Sequence, residues 1–464
     1  MTFMKANKYI LSLLMACTLA TSCDEMLDID PPTDSMTSDQ MYSSAETIEV
    51  AANGLYTHNF LNNFTFFQVI ELNLGLTSDE LRSRNRNVGE YEEANYGPLS
   101  GWFSNHWRFP YQSIFQANDF INHVEGTDLL EAKKRDAFLG QARYFRAYGY
   151  FMLVNAFGDV PLVLSTEVNE SSKLPKTPKA EIDKLIIEDL EKAEQELKGW
   201  DSPKTRVTSE AIQALLSRAY LYNEQWEKAK NKASELIPAV HGGTGSKFQL
   251  EDVDHVFKSS SKESILHINM EGYVGPGTYV GYTRIGQLMI DGWYYASQDL
   301  VKELQKDPND LRNTWIKPHK SSDKIYCFYK YKNRRTPKSP ADHEYLVLLR
   351  LAEQYLIRAE ANVHLGNLDA ALNDINIIRD RAGVEPIKSG KTADELLLVI
   401  ENERRKELFG ECGHRWYDLN RTHRADAVYG ALDYKKGWKS YKAILPIPDD
   451  EIARNPALTQ NEGY

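Results

Sequence analysis

Apolar residues recur at steps of three and four along much of this chain, which is the spacing of one face of an α-helix. The clearest example lies in residues 349–383, where the apolar positions are Leu349, Ala352, Leu356, Ala359, Val363, Leu372, Ile375 and Ile378. Gly366 interrupts this spacing and predicts the end of a first helix. Ala370 and Ala371 are small enough to let a second helix approach the first closely. The pattern therefore predicts a helical hairpin.

The predicted hairpin has the size of a tetratricopeptide (TPR) unit, about 34 residues. Such a unit cannot bury its apolar face alone, so further hairpins are expected in the chain. Similar spacing is present in residues 131–197, 208–238 and 392–421, and the first hairpin occupies residues 346–383. These helical segments predict a mainly α fold that contains TPR-like hairpins.

Two of the predicted helices carry recognisable start signals. Thr177 followed by Pro178 predicts an N-cap with proline at the first helical position. Thr392, with Glu395 three residues later, predicts a capping box.

Helical spacing is absent from two blocks, at about residues 60–106 and 248–340. Both are rich in aromatic residues and glycine, and the second contains the short apolar stretches SILHINM and IYCFYKY. Such stretches are typical of short strands. We therefore predict that these two blocks are irregular and loop-rich, with minor β structure.

The N-terminus has the pattern of a secretory signal peptide. Lys5 and Lys8 precede the apolar run Ile10–Ala20, which is too short to span a bilayer at about 20 residues per crossing. The run leads to LATSC, which resembles a bacterial lipobox ending at Cys23. We predict a signal peptide over residues 1–22, lipidation of Cys23, a lipid-anchored tether over residues 23–44 and a single domain over residues 45–464. A lipobox ending at Cys17 and a purely structural Cys23 are the alternatives.

The charge of the chain argues against nucleic acid as a partner. The net charge is −11, and it becomes about −13 once Lys5 and Lys8 are lost with the signal peptide. A chain this acidic does not attract polyanions as a whole. Of the four cysteines, only Cys327 and Cys412 lie in the predicted domain, and the sequence permits a disulfide between them without requiring one.

The motifs that resemble catalytic or metal sites are incomplete. HGGTGSKF lacks the four-residue gap of a phosphate-binding loop. Asp252, Asp254 and Glu263 match three positions of a calcium loop, but Val256 and Phe257 stand where an oxygen ligand and a glycine are needed. The metalloprotease HExxH and hydrolase G-x-S-x-G motifs are absent, and carboxylates are so abundant that their number is no sign of a glycosidase. We predict no enzyme activity, no cofactor and no metal.

One segment, ENERRKELFGECGHRWYDLNR at Glu401–Arg421, concentrates charged and aromatic residues. The residues spaced to pair along a helix or across a turn are Glu403, Arg404, Glu407, Arg415 and Asp418. We interpret the segment as a structural ion-pair network, with a ligand site as the alternative.

Several blocks of the sequence together resemble the SusD/RagB family. They are the lipobox with its acidic tether, W-x3-Y-x2-I-x2-AN at Trp107–Asn118, ARYFRAYGYFMLVNAFGDVPLV at Ala142–Val163, ELFGECGHRWYDL, and the C-terminal ILPIPDDEIARNPALTQNEGY. The blocks occur in family order across essentially the whole chain. Gln141 stands where the family commonly has Glu, and Cys412 looks like an extra residue in the usual E-G-x-R-W element.

This resemblance implies a mainly α fold in which four TPR-like helical hairpins form an α-α superhelix that supports an irregular, loop-rich half with minor β structure. It also implies a lipoprotein of the outer membrane that faces the cell exterior and is attached by its N-terminal lipid alone. Family members capture glycans, or peptides in the RagB branch, for a SusC-like TonB-dependent transporter, and they are not enzymes. We accordingly predict that this chain captures oligosaccharide and passes it to such a transporter. The alternatives are peptide capture, a TPR scaffold for a protein client and, less favoured, a surface glycosidase.

Sugar recognition requires an aromatic platform beside a few polar groups, and the two irregular blocks contain both. The candidate ligand-binding residues are Asp79, Arg82, Asn95, Tyr96, Trp102, Tyr279, Tyr282, Trp293, Tyr294 and Trp315. Ordinary packing is the alternative for each aromatic residue. Trp102 is preferred to Trp107, which falls on a helical core pattern.

Overall fold

A computed structural model describes residues 36–62, 72–239, 245–269, 293–333, 339 and 343–464. The predicted signal peptide and Cys23 lie outside these residues, as do Tyr279 and Tyr282. The chain divides between Ala51 and Ala52 into two units. In the first, the helix Ser38–Met41 begins at a capping box, and the sites discussed below belong to the second. No helix in the described residues is both long enough and apolar enough to cross a membrane.

Most of the described secondary structure is helical. The longer helices are α1 (Ala45–Tyr56), α2 (Trp102–Val124), α3 (Ala132–Phe157), α4 (Lys179–Glu196), α5 (Ser209–Tyr222), α6 (Trp226–Leu236), α7 (Gln298–Gln305), α8 (Leu351–His364), α9 (Leu368–Arg381), α10 (Ala393–Leu408) and α11 (His414–Arg421). Shorter helical segments are Ser38–Met41, Thr57–Asn62, Arg86–Val88, Gly89–Glu92, Val168–Ser171, Leu311–Trp315, Ala425–Tyr429, Ser440–Ala443 and Asp449–Arg454. Residues 72–77 are also helical.

The long helices pack against one another largely in chain order. Helix α2 packs on α3, α3 on α4, α4 on α5, and α5 on α6. Helix α6 then contacts α8, which contacts both α9 and α10, and α10 contacts α11. In such a superhelix, each hairpin covers the apolar face of the next. The predicted mainly α fold is confirmed, whereas the boundaries of the individual units and of a single domain remain predictions.

The hairpin of α8 and α9 shows how the apolar spacing becomes a core. One buried cluster joins α8, α9 and α10 through Ala359, Val363, Ala371, Ile375, Leu396 and Ile400. Gly366 has a φ of +79°, in the left-handed region that glycine adopts without strain, and it follows the end of α8 at His364. The hairpin therefore buries its apolar face against the next helix in the stack.

The β structure among the described residues consists of short antiparallel pairs. These are β1 (Leu81–Ser83) with β3 (Tyr294–Ala296), β2 (Ser264–Ile268) with β6 (Leu346–Arg350), and β4 (Ile316–His319) with β5 (Ser322–Phe328). Strands β2 and β5 lie within or overlap SILHINM and IYCFYKY. The β1–β3 pair joins the first irregular block to the second.

Two local predictions are wrong, and a third is confirmed. Leu349 lies in β6 rather than in a helix, because residues 346–350 pair with β2 and are all buried. Thr177 is not an N-cap, because its amide donates to the oxygen of Val160 at 2.9 Å and α4 begins only after Pro178. The residue before a proline favours such an extended conformation. The capping box of Thr392 is present at the start of α10.

Candidate ligand-binding surface

The pairing of β1 with β3 brings together one segment from each irregular block. Arg82 lies opposite Tyr295 in the strand register. One residue beyond the strands, the amide of Arg84 donates to the main-chain oxygen of Trp293 at 2.9 Å. The hydroxyl of Ser83 also donates to the main-chain oxygen of Trp293 at 3.2 Å. These hydrogen bonds hold together two segments that are about 210 positions apart in the sequence.

The alternation of side chains along β3 decides which of them face outward. Tyr294 and Ala296 are buried, whereas Tyr295 is half-buried and Trp293 has 54% of its surface exposed. Residues two apart on a strand share a face, so Trp293 and Tyr295 point to the same side. Arg82 lies opposite Tyr295 and joins them on that face.

Two neighbouring side chains hold Arg82 in place. Its Nε donates to a carboxylate oxygen of Glu92 at 2.5 Å, and its guanidinium carbon lies 4.1 Å from the centre of the Tyr434 ring. The second contact is a cation–π interaction. Burial raises the pKa of the Tyr295 phenol, and the charge of Arg82 opposes this effect. We call Arg82, Arg84, Trp293, Tyr295 and Tyr434 the β1–β3 surface.

The β1–β3 surface combines aromatic rings with guanidinium donors. Trp293 offers an exposed indole, and the exposed guanidinium of Arg84 lies within 3.4 Å of the hydroxyl of Ser321. A sugar presents C–H groups that pack on aromatic rings and hydroxyl oxygens that accept from N–H donors. The surface is thus suited to bind a hydroxylated ligand by stacking and hydrogen bonding.

Asp79, a predicted ligand-binding residue, instead has a structural environment. It is 2% exposed, and its carboxylate accepts from Arg415 at 2.8 Å and 3.0 Å and pairs with Arg405 at 2.8 Å. Burial alone would raise the pKa of Asp79, but the two guanidinium groups outweigh it and hold the pKa below its ordinary value. The carboxylate is committed to neutralising two buried cations, so we remove Asp79 from the candidate set.

Three predicted aromatic residues are also buried, which is a correction to the candidate set. Trp315 is fully buried, its indole N–H donates to the oxygen of Val253 at 3.1 Å, and its ring packs against Phe257 at 5.6 Å. The hydroxyl of Tyr96 donates to the oxygen of Lys442 at 3.0 Å. Tyr294 faces the interior side of β3. Their rings contribute to packing rather than to an exposed platform.

Trp102 and Asn95 remain at or near the surface. Trp102 is half-buried and begins α2, and its ring stacks on Tyr91 with centres 5.1 Å apart. Asn95 is exposed and donates to Glu93 at 3.1 Å. Their role in ligand binding stays a prediction, as does that of Tyr279 and Tyr282.

Sequence reasoning missed Arg84, Tyr295 and Tyr434. Arg84 follows Arg82 by two residues, and Tyr295 follows Trp293 by two residues. Because side chains two apart on a strand share a face, this period identifies both residues once the strand register is known. Tyr434 is about 350 residues from Arg82, and only the tertiary fold brings the two together.

The charged segment at 401–421 forms a structural ion-pair network, as predicted. Arg404 pairs with Asp418 at 2.7 Å within the segment. Most other partners come from distant positions, since Glu403 pairs with Arg312 at 3.0 Å and Glu407 with Arg350 at 2.7 Å. Charges that are buried in this way are stable only when paired.

The described residues include no group of three or more His, Cys, Asp or Glu side chains placed to hold a metal ion. Cys327 and Cys412 are both buried and are not joined to each other by a disulfide. The arrangement as a whole is that of a stack of helices with an exposed aromatic surface on the irregular part of the chain.

Comparison with known proteins identifies the family. Residues 291–464 match a family model described as the SusD family, and residues 25–221 match one described as starch-binding and associating with the outer membrane. The chain belongs to the SusD/RagB family.

Individual relatives share this architecture at low identity. SusD-like protein P2 of Formosa agariphila is 24% identical over 99% of this chain and 100% of its own. The starch-binding protein SusD of Bacteroides thetaiotaomicron is 25% identical over 76% of each chain. A solved structure of a laminarin-binding SusD-like protein is 23% identical, with a TM-score of 0.71 over 91% of this chain and 100% of the other. At that identity, the solved structure shows the fold alone.

Proposed function

We propose that this protein binds oligosaccharide at the β1–β3 surface and delivers it to a SusC-like TonB-dependent transporter. The observation that carries the proposal is the 54% exposed indole of Trp293. Strand pairing fixes its backbone beside Tyr295 and Arg82 and leaves the ring exposed to solvent. Because the backbone is already ordered, ligand binding should cost little chain entropy. An ordinary core tryptophan, such as Trp315, is not presented in this way.

Two observations favour oligosaccharide as the ligand: the chemical groups of the β1–β3 surface and the names of the relatives. Stacking on an indole, with donors from two guanidinium groups, suits a neutral hydroxylated chain. Two relatives are named as starch-binding and laminarin-binding, so starch and laminarin oligosaccharides are the first ligands to test. Peptide capture remains the second candidate, because the same surface offers donors to peptide carbonyl oxygens.

The cellular setting is proposed from the N-terminus and the family. The lipobox at Cys23 and the acidic tether would place the protein on the outer membrane through lipid, and one matching family model is described as associating with that membrane. Two or three acyl chains are enough for a stable anchor. The transporter partner follows from the family resemblance, and co-purification from membranes would test it.

The test of ligand class is an array of neutral oligosaccharides and peptides probed with the wild-type protein and the Trp293→Ala variant. We expect the wild type to bind a set of oligosaccharides and Trp293→Ala to lose them. The matched control is Leu129→Ala, which also removes an exposed apolar side chain, 48% exposed, from outside the surface. Binding of peptides alone would replace the proposal with peptide capture, and release of reducing ends from a bound polymer would indicate a glycosidase.

A further inference from the structure

A cavity of about 360 Å³ lies among the ends of helices α5, α8 and α11 and the middle of α10. Tyr222 is the last residue of α5, His364 the last of α8 and Arg421 the last of α11, and all three line the cavity. None of the lining residues belongs to the β1–β3 surface. The volume lies in the range of small-molecule sites in proteins.

The interior of this cavity contains hydrogen-bonding groups that the described protein does not satisfy. Arg404 is 2% exposed and lines the cavity, and its Nε donates to Asp418 at 2.7 Å. Its Nη1 and Nη2 are buried and have no hydrogen-bond partner among the described residues. The hydroxyl of Tyr222 is likewise buried and has no hydrogen-bond partner among the described residues. Buried donors are normally paired, so these atoms indicate a missing acceptor.

The charges around Arg404 are already balanced. Arg421 pairs with Glu360 and, at 2.8 Å, with Asp418, while Arg424 pairs with Glu401 at 2.8 Å. The three guanidinium groups are thus matched by three carboxylates, and a fourth carboxylate, that of Glu224, also lines the cavity. An anionic ligand would add an unmatched charge to this cluster, whereas neutral hydroxyl groups would satisfy the donors of Arg404 without doing so.

The walls of the cavity include apolar side chains. Leu221 and Ile400 are among its lining residues, and Leu398, which is 51% exposed, also lines it. The ring of Trp226 stacks on His364 with the centres 3.9 Å apart. Apolar walls beside a few inward donors are suited to a ring that has C–H faces and hydroxyl edges.

We propose that this cavity is a second binding site that takes a single neutral sugar unit. Two adjacent hydroxyl oxygens accept from Nη1 and Nη2 of Arg404, and a third hydroxyl pairs with that of Tyr222. The C–H face of the ring packs against the leucine and isoleucine wall. The site shares no residue with the β1–β3 surface, so it does not depend on the function proposed there.

The test is calorimetric titration of the full chain with glucose, galactose, mannose and xylose, in a zwitterionic detergent without a sugar headgroup. We expect at least one of these sugars to bind, and to bind equally to the Trp293→Ala variant. Acetate is titrated in parallel as the anionic probe, and preferential binding of acetate would overturn the proposal. Failure of all four sugars to bind at tens of millimolar would also overturn it.

Variants locate the binding within the cavity. Tyr222→Phe removes only a hydroxyl that has no hydrogen-bond partner in the described part of the chain, so it should fold normally and weaken binding about three- to tenfold. Leu398→Trp adds bulk at an exposed lining position and should also weaken binding. The control is Leu129→Ala, which should bind like the wild type. Unchanged affinity in both Tyr222→Phe and Leu398→Trp would contradict the assignment, even if sugar binds elsewhere on the protein.

Discussion

The helical stack and the β1–β3 surface are built in opposite ways. In the stack, neighbouring helices bury the apolar faces that their own sequences display, as α8, α9 and α10 do around Ala371. In the β1–β3 surface, short strands from distant parts of the chain fix Trp293 in an exposed position. Burial stabilises the first region, whereas the second keeps apolar area exposed. The difference indicates that the stack supports the fold and that the surface is available for recognition.

Two tryptophans of the same irregular block show this division within a short stretch of chain. Trp315 ends a helical turn, is fully buried and donates its indole N–H to a main-chain oxygen. Trp293 precedes β3 and exposes 54% of its surface. An aromatic residue in an irregular block is therefore not in itself a sign of a binding site.

The largest expected effect is on stability and comes from the interior. Trp315→Ala should lower the free energy of unfolding by about 3–5 kcal/mol, because it leaves a cavity in the core. Urea unfolding measures this loss. A loss below about 1 kcal/mol would show that Trp315 is not a core residue and would weaken the comparison with Trp293.

Loss of the Asp79 carboxylate should have a similar effect through charge. Asp79→Asn leaves Arg405 and Arg415 without their buried carboxylate, and should lower the free energy of unfolding by about 3–5 kcal/mol. The control is Asp323→Asn at an exposed position of β5, which should change it by less than about 0.5 kcal/mol. If Asp79→Asn were as stable as the wild type, Asp79 would return to the list of ligand-binding candidates.

The next effect is a pH dependence that originates at Glu80. Burial, reinforced by the charge of Asp79, raises the pKa of Glu80 to about 7 from an ordinary value of 4.5. Between pH 4.5 and pH 7, Glu80 is ionised in the unfolded chain but still protonated in the folded protein. Glu80 therefore lowers the free energy of unfolding as the pH rises from about 4.5 to about 7, and the decline ends above about pH 7.

The Glu80→Gln variant should remove this decline. It keeps an acceptor for the Gly410 amide, which now donates to Glu80 at 3.3 Å. Between pH 4 and pH 8, the variant should gain up to about 3 kcal/mol in unfolding free energy relative to the wild type. Parallel pH profiles of the two proteins would speak against a raised pKa.

The smallest effect concerns the N-terminus of α10. Thr392→Ala removes the capping box of α10, in which Thr392 and Glu395 each accept from the backbone amide of the other. The expected loss is about 1 kcal/mol of unfolding free energy. Oligosaccharide affinity at the β1–β3 surface should not change, since α10 contributes no residue to that surface. A change in affinity would show that the two regions are coupled.

The features that the sequence predicts well are local. The face of α8, the end of that helix at Gly366 and the capping box of α10 each depend on residues within a few positions of one another. The sequence does not reveal the buried pairing of Asp79, because its partner Arg415 is 336 positions away and no spacing rule reaches that far. Nor does it distinguish Tyr294 from Tyr295, because the two faces of a strand are told apart only by its register with a partner.

The most direct test is to measure the oligosaccharide affinity and the unfolding free energy of Trp293→Ala in the same preparation. Our account predicts that affinity falls at least about tenfold, equivalent to about 1.4 kcal/mol of binding free energy. The unfolding free energy should stay within about 0.5 kcal/mol of the wild-type value. Wild-type affinity in this variant, with the fold intact, would contradict the claim that recognition takes place at the β1–β3 surface.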